Sequence, residues 1–243
     1  MKPTNGLKGK ELKINPNNFV KTFFYKNVEM YKATRGFLDA YVFFELLKFN
    51  KIFNYMEIGC YKGALFSMVA ETFPDSKKTL IDKDLSDIKH TLPNEMFKNT
   101  TFIEAMSEKV DFSGFDIFDL IVIDGNHAQP TPTIDVSNCL KKSSHDTVIF
   151  LDDYKWEGME VTRSLLKVSG YKSWIKNDSG EFFSKKDLQP FVTHLIYNTP
   201  LTDFARINHK PYADDTEWAI STPQCVYDNI NQIENYINAY KSK

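Results

Sequence analysis

Apolar positions along this chain follow two rhythms. Before residue 50, Leu38, Tyr41, Val42, Leu46 and Phe49 recur at spacings close to a helical turn, which predicts a helix ahead of the first strand. From there short, continuous apolar runs alternate with helix-compatible stretches. Residues 55–58, 78–82, 100–105, 119–125 and 147–153 read as strands, and 119–125 (DLIVIDG) is the cleanest buried one. Residues 64–73, 133–140 and 157–168 read as the helices between them. Strands without polar alternation, separated by helices, imply an α/β fold: a mostly parallel, doubly wound sheet covered on both faces. Beyond Gly170 the pattern weakens. Residues 171–175, 191–197 and 217–221 read as strands, and the polar, proline-punctuated stretch 198–216 as a lid or substrate loop. Val226, Ile230, Ile233, Ile237 and Tyr240 form one apolar stripe, which predicts a C-terminal helix packed on its own domain, with a homodimer seam as the alternative. Residues 1–50 read as an N-terminal arm and helical cap, and 51–243 as a single domain.

Ligands of open parallel sheets bind beyond the carboxyl ends of the strands. The residues there are Glu57, Asp82, Asp124, Asp152 and Asp153, and every one is acidic. The first strand runs into Glu57-x-Gly59-x-x-x-Gly63 within YMEIGCYKG, with Tyr61 inside the turn. Gly59 permits a sharp turn and close backbone approach because it has no side chain to obstruct either. The following helix start offers unpaired backbone N–H groups. The spacing does not match the G-x-G-x-x-G of dinucleotide binding. An acid two residues before the first glycine suits a cationic ligand better than a pyrophosphate. S-adenosylmethionine carries an ammonium and a sulfonium and no phosphate, so the segment argues for a methyl donor over NAD; an ordinary strand-to-helix turn is the plainer alternative. Asp82 is placed to accept hydrogen bonds from ribose hydroxyls, the alternatives being a solvated strand end or Asp84 in that role.

Asp124-Gly125-Asn126-His127 follows the fourth strand and Asp152-Asp153 the fifth. Three carboxylates converging at adjacent strand ends repel one another unless a cation neutralises them. Oxygen ligands point to Mg²⁺, Mn²⁺ or Ca²⁺. Such a cation lowers the pKa of a substrate hydroxyl, and His127, three residues after Asp124, is the matched base near pH 7. Helix capping is the alternative for the acids and a surface-loop position for the histidine. Tyr154 and Trp156 follow the acid pair and suit stacking on a sugar or an arene, or packing of the next helix.

Charge and cysteine usage remove other classes. The formal net charge is −2, so no basic excess draws a phosphate backbone and nucleic acid is not an expected partner. No run reaches the ~20 apolar residues of a membrane span, and the polar N-terminus lacks a secretory apolar core. The three cysteines, Cys60, Cys139 and Cys225, have no metal-type spacing and read as free thiols of a reducing, cytoplasmic compartment.

YMEIGCYKG, TLIDKD, IVIDGNH with Asp135 downstream, and VIFLDDYKW together resemble class I S-adenosylmethionine-dependent methyltransferases. The group most similar is that of metal-dependent small-molecule and sugar O-methyltransferases, of macrolide-sugar and catechol type, over residues 53–169. The resemblance implies a Rossmann-like fold and a cofactor cleft built from Glu57, Gly59, Tyr61, Gly63 and Asp82, with the adenine held by the loop of Ala105, Met106 and Ser107. It implies Mg²⁺ or another divalent cation on Asp124, Asp152 and Asp153, with His127 as base. The chain departs from the family at Met106, where an acid is common, at Gln129-Pro130, and at Ser143-Ser144-His145-Asp146 in place of Pro-Gly-Gly. The implied activity is methylation of a hydroxyl on a sugar, glycan or small molecule. The rival readings are a metal-independent N- or carboxyl-methyltransferase, a non-catalytic S-adenosylmethionine-binding module and a nicotinamide oxidoreductase.

Overall fold

The computed structural model describes residues 37–177, 179–199, 206–209 and 216–221. The predicted N-terminal arm, Cys225 and the stripe from Val226 to Tyr240 lie outside them. Strands β1 (Asn54–Ile58), β2 (Lys77–Asp82), β3 (Thr100–Glu104), β4 (Phe118–Ile123) and β5 (Ser143–Leu151) run parallel. Beyond β5 the sheet continues through β6 (Lys172–Lys176), β7 (Glu181–Ser184), β8 (Arg206–His209) and β9 (Trp218–Ser221). The spatial order is 3-2-1-4-5-7-6-9-8, with β7 antiparallel to both neighbours and β9 parallel to β6. The helices are α1 (Phe37–Phe49), α2 (Ala64–Thr72), α3 (Ser86–Thr91), α4 (Thr131–Leu140), α5 (Met159–Val168) and α6 (Gln189–Asn198).

Alternation along the strands divides the core into two layers. Tyr55, Leu120, Val122, Val148 and Phe150 face one side, where Phe43 and Leu46 of α1, Phe66 and Val69 of α2, and Phe191 and Leu195 of α6 cover them. Met56, Ile58, Ile121, Ile123, Ile149 and Leu151 face the other, under Val136 and Cys139 of α4 and Met159 and Leu166 of α5. Each fully buried side chain of this size contributes about 1.5–3 kcal/mol. Both faces of β1, β4 and β5 are therefore apolar, which is why these strands read as continuous runs. The doubly wound, mostly parallel α/β sheet is as the pattern implies.

Two expectations past Gly170 are corrected. Residues 191–197 belong to helix α6, not a strand: Pro190 sits in the first turn, and Phe191, Val192 and Leu195 fall on one buried helical face. The stretch 198–216 is not loop throughout, since it contains the edge strand β8, paired with β9. Strand β7 and the six-residue α3 have no counterpart in the sequence reading. Cys60 and Cys139 are buried and free. No helix among the described residues is long and apolar enough to cross a membrane.

Candidate functional site

The sheet's order reverses between β1 and β4, and the loops leaving them meet there. Gly59 has φ +81°, and its N–H donates to the Ile81 carbonyl at 2.9 Å. A Cβ at this position would lie 2.0 Å from the Asp124 carbonyl oxygen. The residue is glycine because two chain segments touch at it. Next along the turn, the Cys60 and Tyr61 N–H groups donate to Asp82 Oδ2 at 2.7 and 3.1 Å, and the Asp84 N–H donates to Oδ1 at 3.2 Å. Asp82 thus ties the loops after β1 and β2 together. An ionised carboxylate offers about four acceptor sites, so capacity for a further donor is left. Gly63 (φ +78°) is the N-cap of α2, and a Cβ there would strike Ile88 and Leu92 side chains at 2.6 and 2.8 Å.

Glu57 stands at the end of β1. Its side chain is 2% exposed and lies under the turn, where Oε2 accepts the Tyr55 hydroxyl at 2.7 Å and the carboxylate accepts the Phe66 N–H in the first turn of α2. Burial pushes its carboxyl up to about 8, with the Tyr55 hydrogen bond opposing and the Asp124 and Asp82 charges adding. Through these two hydrogen bonds Glu57 braces the start of α2.

The loops after β1 to β4 enclose a cleft of about 790 Å³, within the range of small-molecule and cofactor sites. Gly59, Tyr61, Asp82, Met106, Ser107 and Asp124 line it; Glu57 and Gly63 do not. Tyr61 is 65% exposed, on a backbone with φ +42°, so its ring stands at the rim. Lys83, Asp87, Glu108 and Asn126 also line the cleft, and the sequence reading did not single them out. They lie one to five residues beyond strand ends, where position after a strand was the only available signal.

At the cleft's inner end the acidic residues converge. The Asp124 N–H donates to the Ile58 carbonyl at 2.8 Å and the Asp152 N–H to the Ile123 carbonyl at 3.0 Å, so the parallel ladder carries one residue past each strand and sets the two carboxyls side by side. Burial raises the Asp124 carboxyl, while His127 and a side-chain hydrogen bond with Asp152 pull it back. Asp153 has φ +48°, an uncommon conformation for a residue with a side chain. His127 lies between the two loops. Its Nε2 is 3.6 Å from Asp124 Oδ1 and its Nδ1 3.5 Å from Asp153 Oδ2. The neighbouring Asp124 carboxylate lifts the imidazole above its usual range, against the effect of burial. One ligand atom from each of Asp124, His127 and Asp153 fits within 4.8 Å of the others.

The two aromatics after the acid pair separate. Tyr154 is buried; its hydroxyl donates to the Asn177 carbonyl at 3.1 Å, and Lys176 and Arg163 lie over its ring at 4.6 and 5.7 Å. It is a packing residue. Trp156 is 57% exposed, and its indole lies 5.6 Å from the His127 ring at a tilt of 31°.

A family model described as a methyltransferase domain matches residues 56–154, the span that holds the glycine turn, Asp82, the loop after β3, His127 and the acid pair. Over that span the chain carries a methyltransferase domain. No curated protein matches the chain. Among solved structures, the methyltransferase PaMTH1 of Podospora anserina, bound to S-adenosylhomocysteine, superposes with a TM-score of 0.51 at 17% identity, covering 75% of this chain and 91% of that one. CalS11, a TDP-rhamnose 3′-O-methyltransferase of calicheamicin biosynthesis, gives 0.50 at 11% identity, covering 72% and 88%. At these identities the likeness is one of fold. A domain of this family uses S-adenosylmethionine. The cleft presents a side-chain-free turn at Gly59, the Asp82 carboxylate, and a half-exposed Met106 beside Ser107.

Proposed function

We propose that this methyltransferase transfers its methyl group to a hydroxyl oxygen of a sugar, glycan or other small molecule, assisted by a divalent cation such as Mg²⁺. The observation that carries the reading is the meeting of Asp124, His127 and Asp153 within 4.8 Å, with Asp124 also lining the cofactor cleft. Asp124, Asp152 and Asp153 are an all-oxygen set of the kind hard cations take; burial raises the Asp124 carboxyl, and the Asp153 charge adds a smaller push. When bound, the cofactor supplies an electrophilic methyl group and the cation acidifies the acceptor hydroxyl.

The chain's own residues do the rest. Gly59, Tyr61 and Asp82 orient the cofactor from the turn side, Asp82 accepting from ribose hydroxyls, and Met106 and Ser107 flank the adenine. His127 takes the acceptor's proton at Nε2, which lies 3.6 Å from Asp124 Oδ1. Asp153, facing Nδ1, steadies the imidazolium that forms. Holding acceptor and methyl group in line supplies most of the acceleration. Trp156 beside His127 offers an apolar face that suits a sugar ring, and the TDP-rhamnose enzyme of the same fold supports the leaning towards sugars.

One observation favours a second reading. His127 already stands between two carboxylates, so its protonated form neutralises part of their charge without a metal. Chelation decides between them. Turnover measured on nucleotide sugars, glycosides and catechols should fall at least tenfold in excess EDTA and return with Mg²⁺. Turnover indifferent to EDTA would reject the cation and favour metal-independent transfer.

A further inference from the structure

Behind the loop after β3 stands a group the chemistry above does not use. Asp135 of α4 is fully buried, and neither of its carboxylate oxygens meets a hydrogen-bond partner. Native proteins seldom leave such a group unsatisfied without a use for it. The Ser107 hydroxyl faces it, near enough to draw its proton affinity down against the burial that pushes the carboxyl up to about 6. Glu108 adds negative charge, and its own Oε2 is also buried without a partner. Asp135 Oδ2 lies 3.7 Å from where a Cβ on Gly125 would be. Ser107, Glu108 and Gly125 all line the cofactor cleft. Acceptors without donors therefore stand beside residues of the cleft wall, with the Ser107 hydroxyl near Asp135.

We propose that Asp135 is a positioning residue that makes Ser107 an obligate acceptor towards the cleft. Once made, a hydrogen bond from the Ser107 O–H to that unsatisfied carboxylate commits the hydroxyl's only proton and turns its lone pairs outward. A hydroxyl fixed in this way receives an N–H donor and repels a carbonyl oxygen. It reads the exocyclic amine of adenine and rejects a purine with an oxygen at that position. The inference rests on the reading that the loop of Ala105, Met106 and Ser107 holds the cofactor's base.

Calorimetric titration of the full chain with S-adenosylhomocysteine and with S-inosylhomocysteine tests it, since the two differ by an amine against a carbonyl. The wild type should bind the adenine compound about ten- to hundredfold more tightly. Asp135→Asn can donate to Ser107 as well as accept, which frees the hydroxyl to point either way, so the ratio should fall towards one. Ser107→Ala should lose the ratio too. A folded Asp135→Asn that keeps the wild-type ratio overturns the inference. If that variant does not fold, an undiminished ratio in Ser107→Ala overturns it equally. Equal binding of both compounds by the wild type sinks this inference alone, whereas binding of neither sinks the cofactor-cleft reading with it.

Discussion

Gly59→Ala tests the close approach of the turns after β1 and β4, on which the cleft depends. The added Cβ would sit 2.0 Å from the Asp124 carbonyl oxygen, 2.4 Å from its carbon and 2.7 Å from the Gly125 Cα, all backbone atoms that cannot rotate aside. Real Cβ contacts essentially never fall under 3.0 Å, so the strand ends must part by about 1 Å. That costs the Asp124 N–H to Ile58 hydrogen bond, about 1 kcal/mol. Holding alanine in the left-handed region at φ +81° costs about 1–2 kcal/mol more, and further packing is lost around the turn. A total of roughly 3–4 kcal/mol in a chain of this size lowers Tm by roughly 10 °C. Because Asp124 moves with its carbonyl, affinity for S-adenosylhomocysteine should fall in step. Gly114→Ala is the control: nothing lies within 4 Å of its added Cβ, and the change should stay within about 0.5 kcal/mol. Calorimetric melting of the three proteins, with cofactor titrations, gives the comparison. A Gly59→Ala protein that melts within 2 °C of wild type (~0.5–1 kcal/mol) and binds the cofactor normally would refute the close approach.

Glu57→Gln should change the pH dependence of stability. The folded carboxyl titrates at about 8 against an ordinary 4.5, so its contribution is full below 4.5 and is lost as pH rises through 8. Relative to the variant, wild type should weaken by about 1 kcal/mol per pH unit across that window; parallel urea-stability curves at pH 5 and pH 8 would contradict it. His127→Ala should reduce turnover by at least ~10²-fold with cofactor affinity nearly intact, and retained activity would reject it as the base. Asp152→Ala should raise the Mg²⁺ concentration needed for half-maximal turnover, and an unchanged requirement would remove it from the cation's ligands. Arg163→Met strands the fully buried Glu181, to which Arg163 is held by two hydrogen bonds. It should cost about 3–5 kcal/mol in denaturant unfolding, and a loss below 1 kcal/mol would show that the pair carries little.

What was legible in the sequence follows from how each feature is encoded. β1, β4 and β5 are buried on both faces, so an unbroken apolar run marks them, and acids at their ends mark the site. Asp124 and Asp152 meet because each is one residue past a strand end in a parallel ladder, which is countable from the chain. Residues 191–197, with Val, Thr, Ile and Tyr, carry strand propensity; packing of Phe191, Val192 and Leu195 against α1 and the sheet overrides it. β7 escaped notice because its first residue is Glu181, whose buried charge is balanced by Arg163, 18 positions away. The partners of Glu57 stayed hidden for a related reason. An acid after an apolar run looks directed at a ligand, and nothing local shows that Tyr55 and Phe66 claim it first. The split between buried Tyr154 and exposed Trp156 depends on the turn after Asp153, which no residue pattern announces.

The pairing of β9 with β6 makes the far end of the sheet dependent on late sequence. Ile175 and Trp218 are neighbours across 43 positions, so β6 has no partner on that side until the chain beyond α6 returns. A protein cut after residue 199 would keep the cofactor cleft, yet it would present a bare strand edge flanked by Trp174 and Ile175, a template for pairing with another copy. The hairpin of β8 and β9 therefore works as a selvedge for this sheet. Loss of solubility, ahead of any loss of cofactor binding, is the symptom to expect from damage there.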